Sequence, residues 1–245
     1  MTKQEKTRKC ISKCLVALLI AALAELKFFY IEFLLVVALA VMFTNFTWRK
    51  FWLIIGSVIA VVAAALLLVY LFPNFSDFLF LERFYEAAVT SKGYTSSGDI
   101  NRLTAIPIAN EMWLKSFGQR LFGLGLGNCD TSSFAFLNTP FFQSYEDMHY
   151  SWLSYAMMYL ECGWVGLMFY FGFFVLVWLR IHKIEKQMSG TAKSYCRIAR
   201  IMAVLCCVIA IYNSSLRTEA GYMAYFVLAV PFALENQRRK KIAYV

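Results

Sequence analysis

Long apolar stretches separated by short charged ones make up most of the chain, and their order predicts helices that cross a membrane. The apolar runs occupy residues 14–26, 28–46, 51–72, 150–179, 198–216 and 220–234. The third, FWLIIGSVIAVVAAALLLVYLF, carries no charge, and at 1.5 Å per residue it is long enough for a hydrocarbon core of about 30 Å. Six crossings are expected. The first, fifth and sixth runs are short, so tilting, bilayer thinning or snorkelling by Lys13 and Arg200 must help them span.

Between residues 73 and 148 the pattern changes to turn residues, amphipathic pieces and more acids than bases. Residues 77–92 (DFLFLERFYEAAVTSK) predict a short helix lying on the membrane or the bundle, broken by the following GYTSSGD. Residues 103–117 (LTAIPIANEMWLKSF) predict a second. Pro107 is tolerable in its first turn, and Ile106, Trp113 and Phe117 can share one face. The expected fold is therefore an all-α polytopic membrane bundle of about six spans, with one large extracytoplasmic loop containing short helices. Residues 1–72 hold a cytoplasmic tail and three spans, 73–148 the loop, and 149–245 the last three spans and a basic tail.

Composition agrees with lipid as the main solvent. Hydrophobic residues make up 60% of the 245 positions and the mean hydropathy is +0.59, against roughly half apolar in soluble proteins. The net charge of +9 does not point to nucleic acid, because the basic residues sit at the ends of apolar runs. With the N-terminus inside, Lys3, Lys6, Arg8, Lys9, Lys13, Arg49, Lys50, the 180–200 loop and the 238–241 cluster all fall on the cytoplasmic side. Both termini are then cytoplasmic. The basic start has no small-residue cleavage site after it and reads as a retained tail. The seven cysteines are Cys10, Cys14, Cys129, Cys162, Cys196, Cys206 and Cys207, and they form neither a disulfide framework nor a zinc spacing. Of these, Cys129 is the thiol expected to face outside.

Chemistry-bearing residues concentrate in the large loop and at its exit. Arg102, in GDINRL, reads either as a surface charge paired with Asp99 or as an anion site, since a guanidinium grips phosphate oxygens bidentately and keeps its charge. Arg120 precedes LFGLGLGN, where Gly123, Gly125 and Gly127 alternate with leucines. That is not a dinucleotide fingerprint. It is either a tight turn or a nest of backbone N–H groups facing a phosphate.

His149 stands at the water-facing start of the fourth apolar run, after Glu146 and Asp147. It reads as an interfacial anchor or as a base, because histidine titrates near neutrality and can take a hydroxyl proton. Glu161 lies inside that run, ~18 Å along a continuous helix from His149, too far to be its direct partner. It reads as a functional carboxylate or as a packing group near Gly163 and Gly166. Glu32 is similarly placed in the second run. Glu25 and Lys27 read as a charged hairpin turn, or Lys27 as a second cation facing the loop. No ring of charges or polar stripe suggests a plain channel.

The ordered set RL, Trp113, LFGLGLGN and HYSWLSYAMMYLECGWVGL resembles the O-antigen ligase and polymerase family of bacterial surface-polysaccharide assembly. The family outline is an Arg-Leu-x-x-x-Trp-like helix, a Gly-x-Gly turn, His-Asn-x-x-Leu and Glu-x-Gly-x-x-Gly. Tyr150 stands where that outline has Asn, and Trp113 lies further from Arg102 than usual. The resemblance spans residues 22–234 and is sharpest over 99–167.

It implies a glycosyltransferase of the bacterial cytoplasmic membrane. Such an enzyme takes an undecaprenyl-diphosphate-linked oligosaccharide as donor, uses neither nucleotide nor metal, and serves capsule, exopolysaccharide or O-antigen synthesis. Arg102 would bind the diphosphate and His149 would assist the acceptor. Arg120, Lys27 (in place of a family arginine), Gly125, Gly127 and Trp113 would complete substrate binding. The family has ten or more spans, so the chain corresponds to its C-terminal half. It would be a shortened enzyme, one part of a split enzyme needing a missing N-terminal half, or an inactive remnant. The alternative from another class is a non-catalytic subunit that binds lipid-linked glycan or a partner synthase.

Overall fold

A seam of small residues sets the main helix pairing. Cys196, Ala199, Ala203, Cys206 and Ala210 recur at spacings of three and four, and all are buried. They form one flat stripe on a helix, and side chains this small let a second helix approach closely. The computed structural model describes residues 12–13, 16, 27–44, 47–71 and 100–243. It places that stripe against Phe174, Ile181 and Ile184 of the preceding helix, with Leu216, Ala224 and Leu228 closing the cluster.

The chain forms two compact units, Met1–Leu81 and Glu82–Val245. In the first, α1 (Lys27–Met42) and α2 (Trp48–Leu71) pack on each other. The α1 carbonyls are closed by the Thr44 hydroxyl, which donates to Ala40 O at 2.7 Å. The second unit holds α3 (Ala105–Met112), α4 (Phe117–Phe122), α5 (Pro140–Tyr145), α6 (Ser154–Lys186), α7 (Gly190–Tyr212) and α8 (Glu219–Ala243). Short 3-10 turns at Glu146–Met148, Tyr150–Trp152 and Ser215–Arg217 link some of them. Among the described residues every regular element is helical, and two helices, α6 and α7, are long and apolar enough to cross a membrane. The helix expected over 77–92 and most of the first apolar run lie outside the described residues.

Three boundaries differ from expectation. The stretch 180–200 is not a loop, since α6 and α7 run through it and the turn is confined to 187–189, followed by Gly190 at φ 57°. The seam continues through the charged stretch: Ile181, Ile184, Cys196 and Ala199 stay buried, while Glu185 is neutralised by Arg197 (2.9 Å) and Arg200 (2.7 Å). Arg200 also lies over the Trp178 ring at 4.5 Å.

The helix expected over 103–117 is two helices. α3 ends at Met112, with the N–H groups of Trp113 and Leu114 both donating to Ala109 O. Ser116 then starts α4 through a reciprocal capping box with Gln119. The fourth apolar run is helical only from Ser154, and it breaks at Gly163, whose φ of 62° and ψ of −158° are non-helical.

Candidate functional site

Glycines decide where the loop meets α6. The turn after α4 has Gly123, Gly125 and Gly127 all at positive φ, a backbone region costly for residues with a Cβ. Gly123 sits directly on α6: a Cβ there would lie 2.3 Å from the carbonyl carbon of Glu161. Gly163 returns the contact, since a Cβ on it would lie 2.4 Å from the carbonyl of Leu121. The two segments thus cross backbone to backbone, with a glycine on each side.

That crossing engages most donors of the turn. Leu124 N–H donates to Leu160 O at 2.7 Å and Gly125 N–H to Glu161 O at 3.0 Å. Gly127 N–H donates to Glu161 Oε1 at 2.9 Å. The nest anticipated for a phosphate is therefore filled by an anion of the chain itself. The hydrogen bonds also give Glu161 its role, as the acceptor that holds the glycine turn.

Arg102 stands at the start of α3. Its guanidinium lies over the Tyr212 ring, 4.6 Å from the centroid, and Nε donates to Tyr212 O at 3.2 Å. The Tyr155 hydroxyl donates to the Arg102 carbonyl. Its anticipated partner Asp99 lies outside the described residues. Among the described residues, Arg102 is the one charged residue lining a groove of about 400 Å³, whose walls include Ile106, Trp164, Leu167, Met168 and Phe171. Trp164 and Met168 are also exposed on α6, so the groove opens on the flank of that helix.

Comparison with known proteins finds nothing similar. No family model, curated protein or solved structure matches the chain.

His149 lies close to Arg102 in the chain path, because Ile100 N–H donates to Met148 O at 3.1 Å. Among the described residues it is the one non-glycine with positive φ, at 54°. Its ring packs on Trp152, with centroids 4.0 Å apart. A left-handed histidine costs about 1–2 kcal/mol, and the turns on either side hold it: His149 N–H donates to Glu146 O, and Trp152 N–H donates to His149 O, both at 3.0 Å.

The remaining sequence candidates are scattered. Trp113 is buried against Phe141, Tyr145 and Tyr150, with centroids 5.2–5.9 Å away. Ile106 packs against the same cluster, whereas Phe117, expected on that face, is exposed on α4. Arg120 is exposed on α4 and donates from Nε to Leu114 O at 3.0 Å. Lys27 opens α1 in the first unit, and its side chain lies outside the described residues. Cys129 is buried; burial pushes its thiol up to about 12, with the charges of Glu161 and Asp130 adding to the shift. Tyr150 donates to Cys129 O at 2.9 Å, and burial likewise raises its phenol above the usual range.

The residue that sequence reasoning passed over is Arg217. From the 3-10 turn between α7 and α8 it pairs with Asp130 at 2.7 Å and donates to Ser151 O at 3.4 Å. It thereby joins the glycine-turn segment to the turn that carries His149. The available signal was a basic residue at the end of an apolar run on the side expected to be poor in positive charge.

Proposed function

We propose that the chain is a multi-pass membrane glycosyltransferase of the bacterial cytoplasmic membrane. It would have about six spans, both termini cytoplasmic, and residues 73–148 on the outer side. Its activity would be to polymerise or ligate undecaprenyl-diphosphate-linked glycan. One observation carries the reading: a single guanidinium, Arg102, lies on an apolar groove that opens along a helix long enough to span a bilayer. A polyprenyl diphosphate has the complementary shape, with an apolar tail for the groove and an anionic head for the arginine.

In the proposed reaction an acceptor hydroxyl attacks the anomeric carbon of the donor sugar. The new C–O bond forms as the bond to the diphosphate breaks, and the diphosphate leaves with the electron pair. Arg102 stabilises that developing charge, while His149 receives or directs the hydroxyl proton. Arg217 sits beside the His149 turn and supplies a second cation once its pair with Asp130 opens. The ordered resemblance of residues 99–167 to the O-antigen ligase and polymerase family supports the same assignment.

A second reading, a non-catalytic subunit that binds lipid-linked glycan, draws on the filled nest: Gly125 and Gly127 spend their N–H groups on Glu161. Changing Arg102 and His149 to alanine in cells that depend on this protein separates the two. The enzyme reading expects shortened or lost polymer from both variants, with lipid-linked glycan still bound by His149→Ala. Unchanged polymer length and yield from both variants would refute it.

A further inference from the structure

The segment that ends α3 and crosses α6 carries an unusual surface. Phe117 is 81% exposed, Phe122 64% and Leu126 79%, and Phe134 and Phe136 further along are exposed as well. Over residues 116–137 the only charges are Arg120 and Asp130. Arg120, itself exposed, donates to Leu114 O, and Asp130 pairs with Arg217. From Phe117 to Leu126 Arg120 is the single charge in the sequence.

The height of this surface along α6 is fixed. Leu124 and Gly125 are hydrogen-bonded to Leu160 and Glu161, and Glu161 is the last charge before residues 162–179, which carry none. Those residues span roughly 27 Å of helix, about the thickness of a hydrocarbon core. The glycine turn is thus pinned where the charge-free stretch after Glu161 begins. Just beyond it on α6, Trp164, Met168 and Phe169 are exposed as well.

Irregular backbone is tolerated next to lipid only when its polar groups are satisfied within the protein. Most N–H groups of this turn meet that condition, the exposed Leu126 N–H excepted. The N–H groups of Gly123, Leu124, Gly125, Gly127 and Asn128 all donate within the unit, to Gln119 O, Leu160 O, Glu161 O, Glu161 Oε1 and Gly125 O.

We propose that α4 and the glycine turn form a membrane-contact surface, with Phe117, Phe122 and Leu126 entering the outer edge of the bilayer. This rests on the reading of α6 as a span. Its partner is the acyl-chain boundary of the leaflet, and its effect is to hold the mouth of the Arg102 groove at the level where a polyprenyl diphosphate head lies. The exposed rings act as interfacial anchors of the kind that amphipathic surface segments use.

The test uses the intact chain in nanodiscs of phosphatidylethanolamine and phosphatidylglycerol. A small share of phospholipid carries an acyl-chain diazirine near the glycerol end. After photolysis and peptic digestion, mass spectrometry maps the lipid-derived label, and hydroxyl-radical footprinting from the water phase is run in parallel. Expected is label on the peptides holding Phe117, Phe122 and Leu126 at a level comparable with Phe169 and Leu176 of α6, with weak oxidation of the same peptides. Label on α6 together with background label and strong oxidation over 116–127 overturns the contact surface while leaving the span intact. Background label on α6 and α7 as well overturns both.

Discussion

Gly127 donates its backbone N–H to Glu161 Oε1 over 2.9 Å, across 34 residues of chain. The carboxylate therefore orders a turn that would otherwise expose unpaired donors beside an apolar helix. Hydrogen bonds to a charged group are worth about 1.5–3 kcal/mol each. Glu161→Ala is expected to lower stability by about 2 kcal/mol. Glu161→Gln, which keeps one acceptor oxygen, should lose less. Thermal unfolding in detergent reads both, and an alanine variant that melts with wild type would contradict the assigned role.

Glycine substitutions should rank by what a Cβ would strike. Gly123→Ala and Gly163→Ala each put a methyl into opposing backbone at 2.3–2.4 Å, at positive φ. Gly127→Ala meets nothing within 4 Å and suffers only its φ of 79°. The last should cost about 1–2 kcal/mol. The first two should cost well above that, as backbone overlap cannot relax through a rotamer. Size-exclusion profiles and melting temperatures of the three variants test the order.

The strained histidine gives a different kind of check. His149→Gly and His149→Ala both remove the ring that packs on Trp152, so their difference isolates the backbone at φ 54°. The glycine variant is expected to be the more stable by about 1 kcal/mol. Equal melting temperatures would mean that the left-handed conformation is not kept in the variants.

Cys129 is expected to resist maleimide at neutral pH in the folded protein and to react once the chain is denatured. At alkaline pH its sign is fixed by which state holds the proton longer. The folded thiol titrates at about 12 against an ordinary 9.0, so between those values the unfolded chain releases its proton first. Stability is then present below pH 9 and is lost as pH rises through that window. Tyr150, raised from 10.0, acts in the same direction. Denaturation midpoints of wild type and Cys129→Ala across the range check this, with a flatter decline expected for the variant.

Part of this architecture is legible in residue order alone. The charge-free core of α6, the small-residue stripe of α7 and the Ser116-to-Gln119 capping box are local patterns, although the last was subsumed in one longer helix because apolar spacing continues across it. The crossing of Gly123 over Glu161 is not local. It depends on a break at Gly163 that helix periodicity conceals, since a glycine inside an apolar run reads as a packing position. Arg217 stayed hidden for the same reason: its partners Asp130 and Ser151 are 87 and 66 residues away. Trp113 shows the converse, where a residue assigned to substrate binding through resemblance is packed in an aromatic core.

The central claim is tested most directly by purified chain in nanodiscs given undecaprenyl-diphosphate-linked oligosaccharide, alone and with membranes that supply any further chain. The account expects glycan transfer by wild type in at least one of these conditions, and a loss of about 100-fold in Arg102→Ala, the scale set by removing one group that stabilises a leaving charge. Transfer by Arg102→Ala at the wild-type rate, or no transfer by wild type with or without membranes, would contradict it.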